Sequence, residues 1–339
     1  MIQKKNGTFS IFLLVSTPVF FMIASLFVGR YRVSACDVVQ SLVSAIGLGR
    51  FELSREAFAV VSQLRLPRIV AAAFVGGGLA ASGTAFQGVF RNPLVNSGLL
   101  GVNSGAGFGA ALAIILLGGY GYTYGFAFVF GVLAVAMSYW IARIYKTVPA
   151  VMLILGGTIV SAFFSAMITL LKYIADVDTE LPAIVYWLMG SLSSVSYGDF
   201  WAFIPIGAGI TVLMLFGWRI NVISMGDKEA RSMGVDVVKC KIGIILAATM
   251  ATAGAVCLSG GVGWVGLVIP HIGRMVVGND NRRLMPVSVS IGASFMVCID
   301  TISRSATTSE IPLGVLTALV GAPFFVFLLK KTKGGGWKA

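Results

Sequence analysis

Between Arg65 and Ala110 the chain reads RLPRIVAAAFVGGGLAASGTAFQGVFRNPLVNSGLLGVNSGAGFGA. Two arginines flank Leu66 and Pro67 at one end. An apolar segment crowded with small residues follows, breaks at Arg91-Asn92-Pro93, and resumes as a second such segment. A soluble core does not ordinarily place its polar groups at the two ends and fill the middle with glycine. Helices in a bilayer do, because small residues let their backbones approach closely. Composition agrees: 57% of the 339 residues are hydrophobic and only 11% charged, against about 25% charged in ordinary soluble domains. The chain is therefore read as an integral membrane protein, and its net charge of +12 as a matter of loop placement rather than nucleic-acid binding. Cys36, Cys240, Cys257 and Cys298 are scattered, mostly in apolar runs, and form neither a disulfide framework nor a metal-ligand pattern. The first apolar segment, with Pro18 inside it and no clear small-x-small site, reads as a retained helix rather than a signal peptide.

Apolar length marks ten candidate spans, roughly 9–29, 67–87, 95–117, 122–142, 149–172, 200–218, 242–259, 262–276, 286–303 and 311–329. The region 242–276 also reads as one long span plus a re-entrant piece. An even count puts both termini on one side. With the N terminus placed in the cytoplasm, 17 of the 25 Lys and Arg fall on inside segments and 9 of the 13 Asp and Glu on outside ones. The positive-inside rule favours that orientation.

Within this frame, residues 50–58 suit a short interfacial helix leading into Arg65-Leu-Pro-Arg68, where Pro67 fits a first helical turn. Ala73, Gly77, Ala81 and Ala85 recur every four residues and predict a close helix crossing, with Gly78 and Ser82 on a neighbouring ridge; Gly101, Gly105 and Gly109 repeat the spacing. Gln87 and Asn92 bracket a turn, and Pro93 stops the helix before it. Thr158, Ser161, Ser165 and Thr169 either line a path or bond to their own helix backbone. Residues 183–191 suit a second interfacial helix. The largest inside loop, 219–241, carries Asp227 and Arg231 four apart between Gly226 and Gly234, with Met225 and Met233 beside them. It is either a capped connector or a docking element. Leu258-Ser-Gly-Gly261 looks like a transport-ATPase signature, but the chain holds no G-x-x-x-x-G-K-[ST] loop, so it is read as a tight bend. His271, the one histidine, has no partner set for a metal or for catalysis. Asp300 and Arg304, four apart, either pair or face water. The tail from Lys330, with Trp337, suits the headgroup surface.

These motifs, in order, resemble the membrane-spanning permeases of type II ABC importers, the iron–siderophore, haem and vitamin B12 group. The resemblance rests on Arg65-Leu-Pro-Arg68, Gly83–Gly88 with Arg91-Asn-Pro-Leu94, Leu100-Gly-Val-Asn-Ser-Gly105, the Gly226–Gly234 loop, Gly266–Arg274, Glu310-Ile-Pro-Leu-Gly314 and Gly321-Ala-Pro-Phe324. It spans nearly the whole chain. It implies an all-α polytopic fold of ten transmembrane helices in two inverted-related halves (helices 2–5 and 7–10), forming one permease domain over 1–339. It also implies a homodimer with the path between subunits, two copies of a separate cytoplasmic ABC ATPase, an extracytoplasmic substrate-binding protein, and a bacterial or archaeal cytoplasmic membrane. Carried residue by residue, Gly226, Asp227, Glu229, Ala230, Arg231, Met233 and Gly234 resemble the coupling element that sits in the ATPase. Arg65, Arg68 and Arg304 resemble the outside arginines that meet glutamates of the binding protein. Ser161 and Ser165 fall on the pore-lining helix, with Met167 and Leu171 as apolar gate positions. Neither a cofactor nor a catalytic site is implied. Ferric siderophore leads as cargo, with haem, cobalamin and molybdate-type oxyanions as alternatives. An ion-driven secondary transporter would instead call for buried acidic residues near mid-membrane, and a membrane enzyme for a polar catalytic cluster; the sequence places almost every carboxylate at a span end.

Overall fold

The computed structural model describes residues 7–45, 47, 48, 54–118, 120–143 and 150–331. The described chain is helical throughout: α1 (Gly7–Phe27), α2 (Ala35–Ala45), α3 (Arg55–Phe58), α4 (Leu66–Val89), α5 (Val102–Leu117), α6 (Thr123–Arg143), α7 (Ala150–Ile174), α8 (Glu180–Met189), α9 (Phe203–Leu215), α10 (Gly217–Met225), α11 (Asp227–Ser232), α12 (Val237–Ser259), α13 (Val265–Val277), α14 (Asn281–Ser305) and α15 (Leu313–Lys331). The Ser54 hydroxyl caps α3 by accepting from the Ala57 amide. A π-helical stretch, Ala59–Arg65, joins α3 to α4 without a break. Pro67 sits in the first turn of α4 as read from sequence. The tail beyond residue 331 and the Lys146–Pro149 segment lie outside the described residues, as does the start of the predicted 50–58 helix.

The expectation of ten transmembrane helices does not hold. Among the described residues six helices are long and apolar enough to cross a membrane: Arg55–Val89, Thr123–Arg143, Ala150–Ile174, Tyr197–Leu215, Val237–Ser259 and Asn281–Ser305. The other four predicted spans fall on shorter apolar helices, Leu14–Phe27, Val102–Leu117, Val265–Val277 and Leu313–Phe327. Val102–Leu117 and Val265–Val277, at 16 and 13 residues, fall short of the roughly 20 residues that a hydrocarbon core of about 30 Å requires of a straight helix. For these two the physical reason is glycine and asparagine punctuation. Asn92–Gly101 forms turns rather than helix, with Gly101 at φ 87° immediately before α5. The two-halves arrangement drawn from ten spans goes with the count. The ambiguity at 242–276 resolves into two helices, because α12 ends at Ser259 and α13 begins at Val265.

The centre of the fold is α4, buried along most of its length and packed on α9, α12, α13 and α14. The helices α6, α7 and α9 leave much of their apolar surface exposed, as lipid-facing helices do. In lipid, apolar burial between helices brings little net gain, so close packing must come from small residues. At the α4–α14 crossing, a Cβ on Gly292 would lie 2.5 Å from the Gly76 carbonyl oxygen and 2.6 Å from the Ala80 Cβ, and a Cβ on Gly76 would overlap the Gly292 carbonyl oxygen. Gly83 meets Gly266 of α13 in the same way. The tight contacts thus run through Gly76, Ala80 and Gly83. The predicted ridge through Gly77 faces side chains of Val289 and Ile210 instead. Gly105 and Gly109 do form the predicted close face, against the backbone of Phe126 and Phe130 in α6.

Candidate functional site

Three regions draw on the predicted site residues. The first is a charged cluster where the C-terminal end of α14 meets the N-terminal end of α4. Arg65, Arg68 and Arg304 are only 5–8% exposed. The Arg68 Nε donates to Asp300 Oδ1 at 2.7 Å, while Nη1 and Nη2 form a bidentate pair with Glu310 at 2.8 and 2.9 Å. Asp300 is fully buried, and its second oxygen lies 3.6 Å from Arg304 Nε. Arg304 Nη2 donates to the Ser25 carbonyl at 2.5 Å and the Ser25 hydroxyl at 2.8 Å. Arg65 reaches the carbonyls of Leu26 and Tyr31 at 2.6 and 2.5 Å. Arg30 spans the edge of the cluster, donating to the Arg304 and Thr308 carbonyls. The three predicted arginines are therefore brought together, and each is held by acceptors of its own chain. The cluster fastens α1, α4, α14 and the 306–312 loop to one another. Of the two readings for Asp300 and Arg304, pairing holds, and both are buried.

The second region is the corner α10–α11–α12. The short helix predicted at Asp227–Arg231 is α11. Gly226 takes φ 144°, and a Cβ there would collide with the Glu229 carboxylate. Ala230 is fully buried against Val222, Val235 and Val237, so this face holds the corner together. Glu229, Arg231 and Met233 are exposed, as is Met225. Asp227 does not pair with Arg231; Lys241 of α12 donates to it at 2.7 Å instead. Asp236 caps α12 by accepting from the Lys239 amide at 3.1 Å, and that hydrogen bond holds its carboxyl below the ordinary carboxylate range. A cavity of about 430 Å³ beside α11 is lined by Trp218, Arg219, Met233 and Lys239, among others. Lys241 is buried but Asp227 is half-exposed and regains water once the lysine is removed, so losing the pair should cost only about 1 kcal/mol. We expect Lys241→Met to leave the thermal midpoint nearly unchanged while loosening α11, which hydrogen exchange at 227–234 would register as faster amide exchange.

The third region is α7. Leu171 is buried in the core, Ser161 and Met167 are half-buried and Ser165 is exposed. Thr158 and Thr169 are exposed, and their hydroxyls bond back to the carbonyls of Ile154 and Ser165 at 3.0 Å.

Sequence reasoning placed Gln87 beside a turn and Glu310 in a motif before the last helix, but gave neither a partner. Gln87 is a hub on α4. Its Nε2 donates to the carbonyls of Val95, Gly266 and Leu267 at 3.0, 3.3 and 3.4 Å, and its Oε1 accepts from both terminal nitrogens of Arg274. The turn after α4 is thereby tied to α13. The signal was a polar side chain placed within an otherwise apolar, glycine-rich helix. Glu310 carried none beyond its place before Pro312. Among the described residues, no group of three or more His, Cys, Asp or Glu is placed to hold a metal ion.

Comparison with known proteins fits this geometry. The profile of the FecCD transport family matches residues 17–331. The chain is 40% identical to the molybdate import system permease protein of Haemophilus influenzae over 93% of both chains. It is 37% identical to a probable iron chelatin transport system permease protein of Helicobacter pylori, over 81% of this chain and 83% of the relative. Among solved structures, the inward-facing conformation of a metal-chelate type ABC transporter superposes with a TM-score of 0.83 at 37% identity, covering 95% of this chain and 98% of the other. A polytopic bundle matched this completely in sequence and in backbone belongs to the FecCD transport family.

Proposed function

We propose that the chain is the permease subunit of an ATP-driven type II importer, moving a metal-bearing cargo inward across a cytoplasmic membrane. The observation that carries this reading is the match to the FecCD transport family over residues 17–331, in a bundle that superposes on a metal-chelate type transporter. The chain acts as a single permease domain and pairs with a second copy to enclose the path. ATP hydrolysis belongs to two copies of a separate ATPase, seated on the exposed Glu229, Arg231 and Met233 of the corner at 219–241. An extracytoplasmic binding protein delivers the cargo. Closure of the ATPases pushes on α11, whose buried Ala230 face transmits the movement to α10 and α12. Along the path, Ser161 and Ser165 contribute polar contacts, and Met167 and Leu171 an apolar constriction.

Iron chelate is the first cargo assignment. Molybdate is a second, supported by the relative 40% identical over 93% of the chain. Purifying the complex with its binding protein and identifying the retained cargo by mass spectrometry separates the two: a ferric chelate supports the first, molybdate the second, and a cargo without metal sinks both.

Docking of the binding protein is proposed at the edge formed by Arg65, Arg68 and Arg304. A partner carboxylate there must displace Glu310 from Arg68, because the bidentate fork is already filled. Glu310→Gln removes that competing charge and should tighten binding-protein association severalfold, measured by surface plasmon resonance on the detergent-solubilised complex. Weaker or unchanged association would remove Arg68 from the docking edge.

A further inference from the structure

Outside the three regions above, the structure holds a second polar feature. A cavity of about 160 Å³ opens between the start of α6, the end of α8, the 191–194 loop and the end of α12. Six hydroxyl side chains line it: Thr123, Tyr124, Tyr186, Ser191, Ser193 and Ser194. Among the described residues, no Asp, Glu, Lys, Arg or His is in the lining. The hydroxyls are within reach of one another. Tyr124 Oη and Ser194 Oγ are 3.1 Å apart, Tyr186 donates to Ser191 at 3.2 Å, and Ser191 donates to Ser193 at 3.0 Å. The frame behind them is stiff. Ser191 N donates to the Ser259 carbonyl at 2.9 Å, and Leu313 N to the Gly190 carbonyl at 2.9 Å. Gly190 and Gly260, at φ 83° and 65°, are pressed so closely that a Cβ on Gly190 would fall 2.8 Å from the Gly261 carbonyl oxygen. The mouth is open, since Tyr186, Ser193 and Ser194 are exposed. The nearby Asp199 carboxylate is engaged by the Ser196 amide and hydroxyl at 2.8 and 2.9 Å.

We infer that this cavity is a contact site for a small tetrahedral oxyanion, held by neutral hydroxyl donors between α6, α8 and α12. The inference rests on the importer reading above and takes the second of its two cargo assignments, molybdate. Three considerations support it. Hydroxyl hydrogens rotate to suit the acceptor, so bonds now made between hydroxyls can turn toward a bound anion. Hydrogen bonds to an ionised acceptor are roughly twice as strong as neutral ones, so hydroxyls turned toward the anion offset part of the cost of taking it out of water. The cavity is also smaller than the roughly 300–1,000 Å³ of sites for drug-sized ligands, which excludes a whole siderophore and admits a few heavy atoms. The absence of a cation suits transit, because a path must bind well enough to admit its cargo and weakly enough to release it.

The test is ATP-driven uptake of radiolabelled molybdate into proteoliposomes holding the permease, its ATPase and its binding protein. The variants are Ser191→Ala/Ser193→Ala/Ser194→Ala and the single change Tyr124→Phe, with binding-protein-stimulated ATP hydrolysis measured on each. The triple variant should lose about tenfold or more of the uptake rate at low molybdate, and Tyr124→Phe severalfold, while stimulated hydrolysis stays near the wild-type rate. Because Tyr124→Phe removes one hydroxyl and keeps the ring, it decides the matter should the triple variant fail to assemble. Wild-type molybdate uptake with both variants unaffected would overturn the site. Wild-type uptake of ferric hydroxamate but not molybdate would overturn the oxyanion assignment and leave the importer reading standing. ATP-independent uptake, or none of either cargo, would overturn the importer reading and the site with it.

Discussion

Asp300→Ala should be the most damaging single substitution in the chain. The carboxylate is fully buried and accepts from Arg68 at 2.7 Å, with Arg304 beyond it at 3.6 Å. Removing it leaves one buried guanidinium paired only to Glu310 and another facing the Ser25 oxygens. Breaking one partner out of a buried pair costs about 3–5 kcal/mol, because the remaining charge stays desolvated. We expect little folded protein in detergent and a thermal midpoint lowered by well over the effect of Glu310→Gln, whose carboxylate is partly exposed. The double variant Arg68→Met/Asp300→Leu removes both charges and should recover part of the loss, since apolar replacement of a whole buried pair is often neutral. A double variant as unstable as Asp300→Ala alone would mean that the pair is not what the site depends on. Size-exclusion profiles and thermal melts of the four proteins decide this.

Gly76→Ala should come next. The added methyl would meet the Gly292 carbonyl oxygen and the Met296 side chain, the latter at 2.6 Å. Overpacking a tight interior costs typically about 1–3 kcal/mol, and the upper end applies where the obstructing atom is backbone. Gly125→Ala in α6 is the matched control. Nothing lies within 4 Å of its Cβ position, so the usual helix gain of about 0.5–1 kcal/mol over glycine should appear. Opposite shifts in the thermal midpoints of these two variants would separate close helix approach from any general intolerance of alanine. Equal shifts would count against the α4–α14 contact as the reason.

The membrane class and the short helix α11 were legible because each rests on local pattern, apolar length and a charged segment between glycines, whereas the glycine bend between α12 and α13 left two readings of 242–276 open. The number of crossings was not legible. The run 95–117 is apolar enough to count as a span, yet its first residues make turns ending at Gly101, and hydropathy does not distinguish a glycine-rich turn from a helix. The crossing ridge was misplaced by one residue because Gly76 and Gly77 are equivalent locally. Only Gly292, more than two hundred positions away, selects between them. The arginines were placed at a helix end by charge, but their burial depends on Asp300 and Glu310, whose distance along the chain hides the pairing. The hydroxyl cavity was hidden for the same reason, since its walls come from α6, α8 and α12.

The central claim is that this family member is an ATP-driven importer subunit. Reconstituting the permease in proteoliposomes with its ATPase and binding protein tests it most directly. Cargo should accumulate only when ATP, the binding protein and an ATPase able to hydrolyse are all present. Accumulation driven by an ion gradient with neither partner present would contradict it.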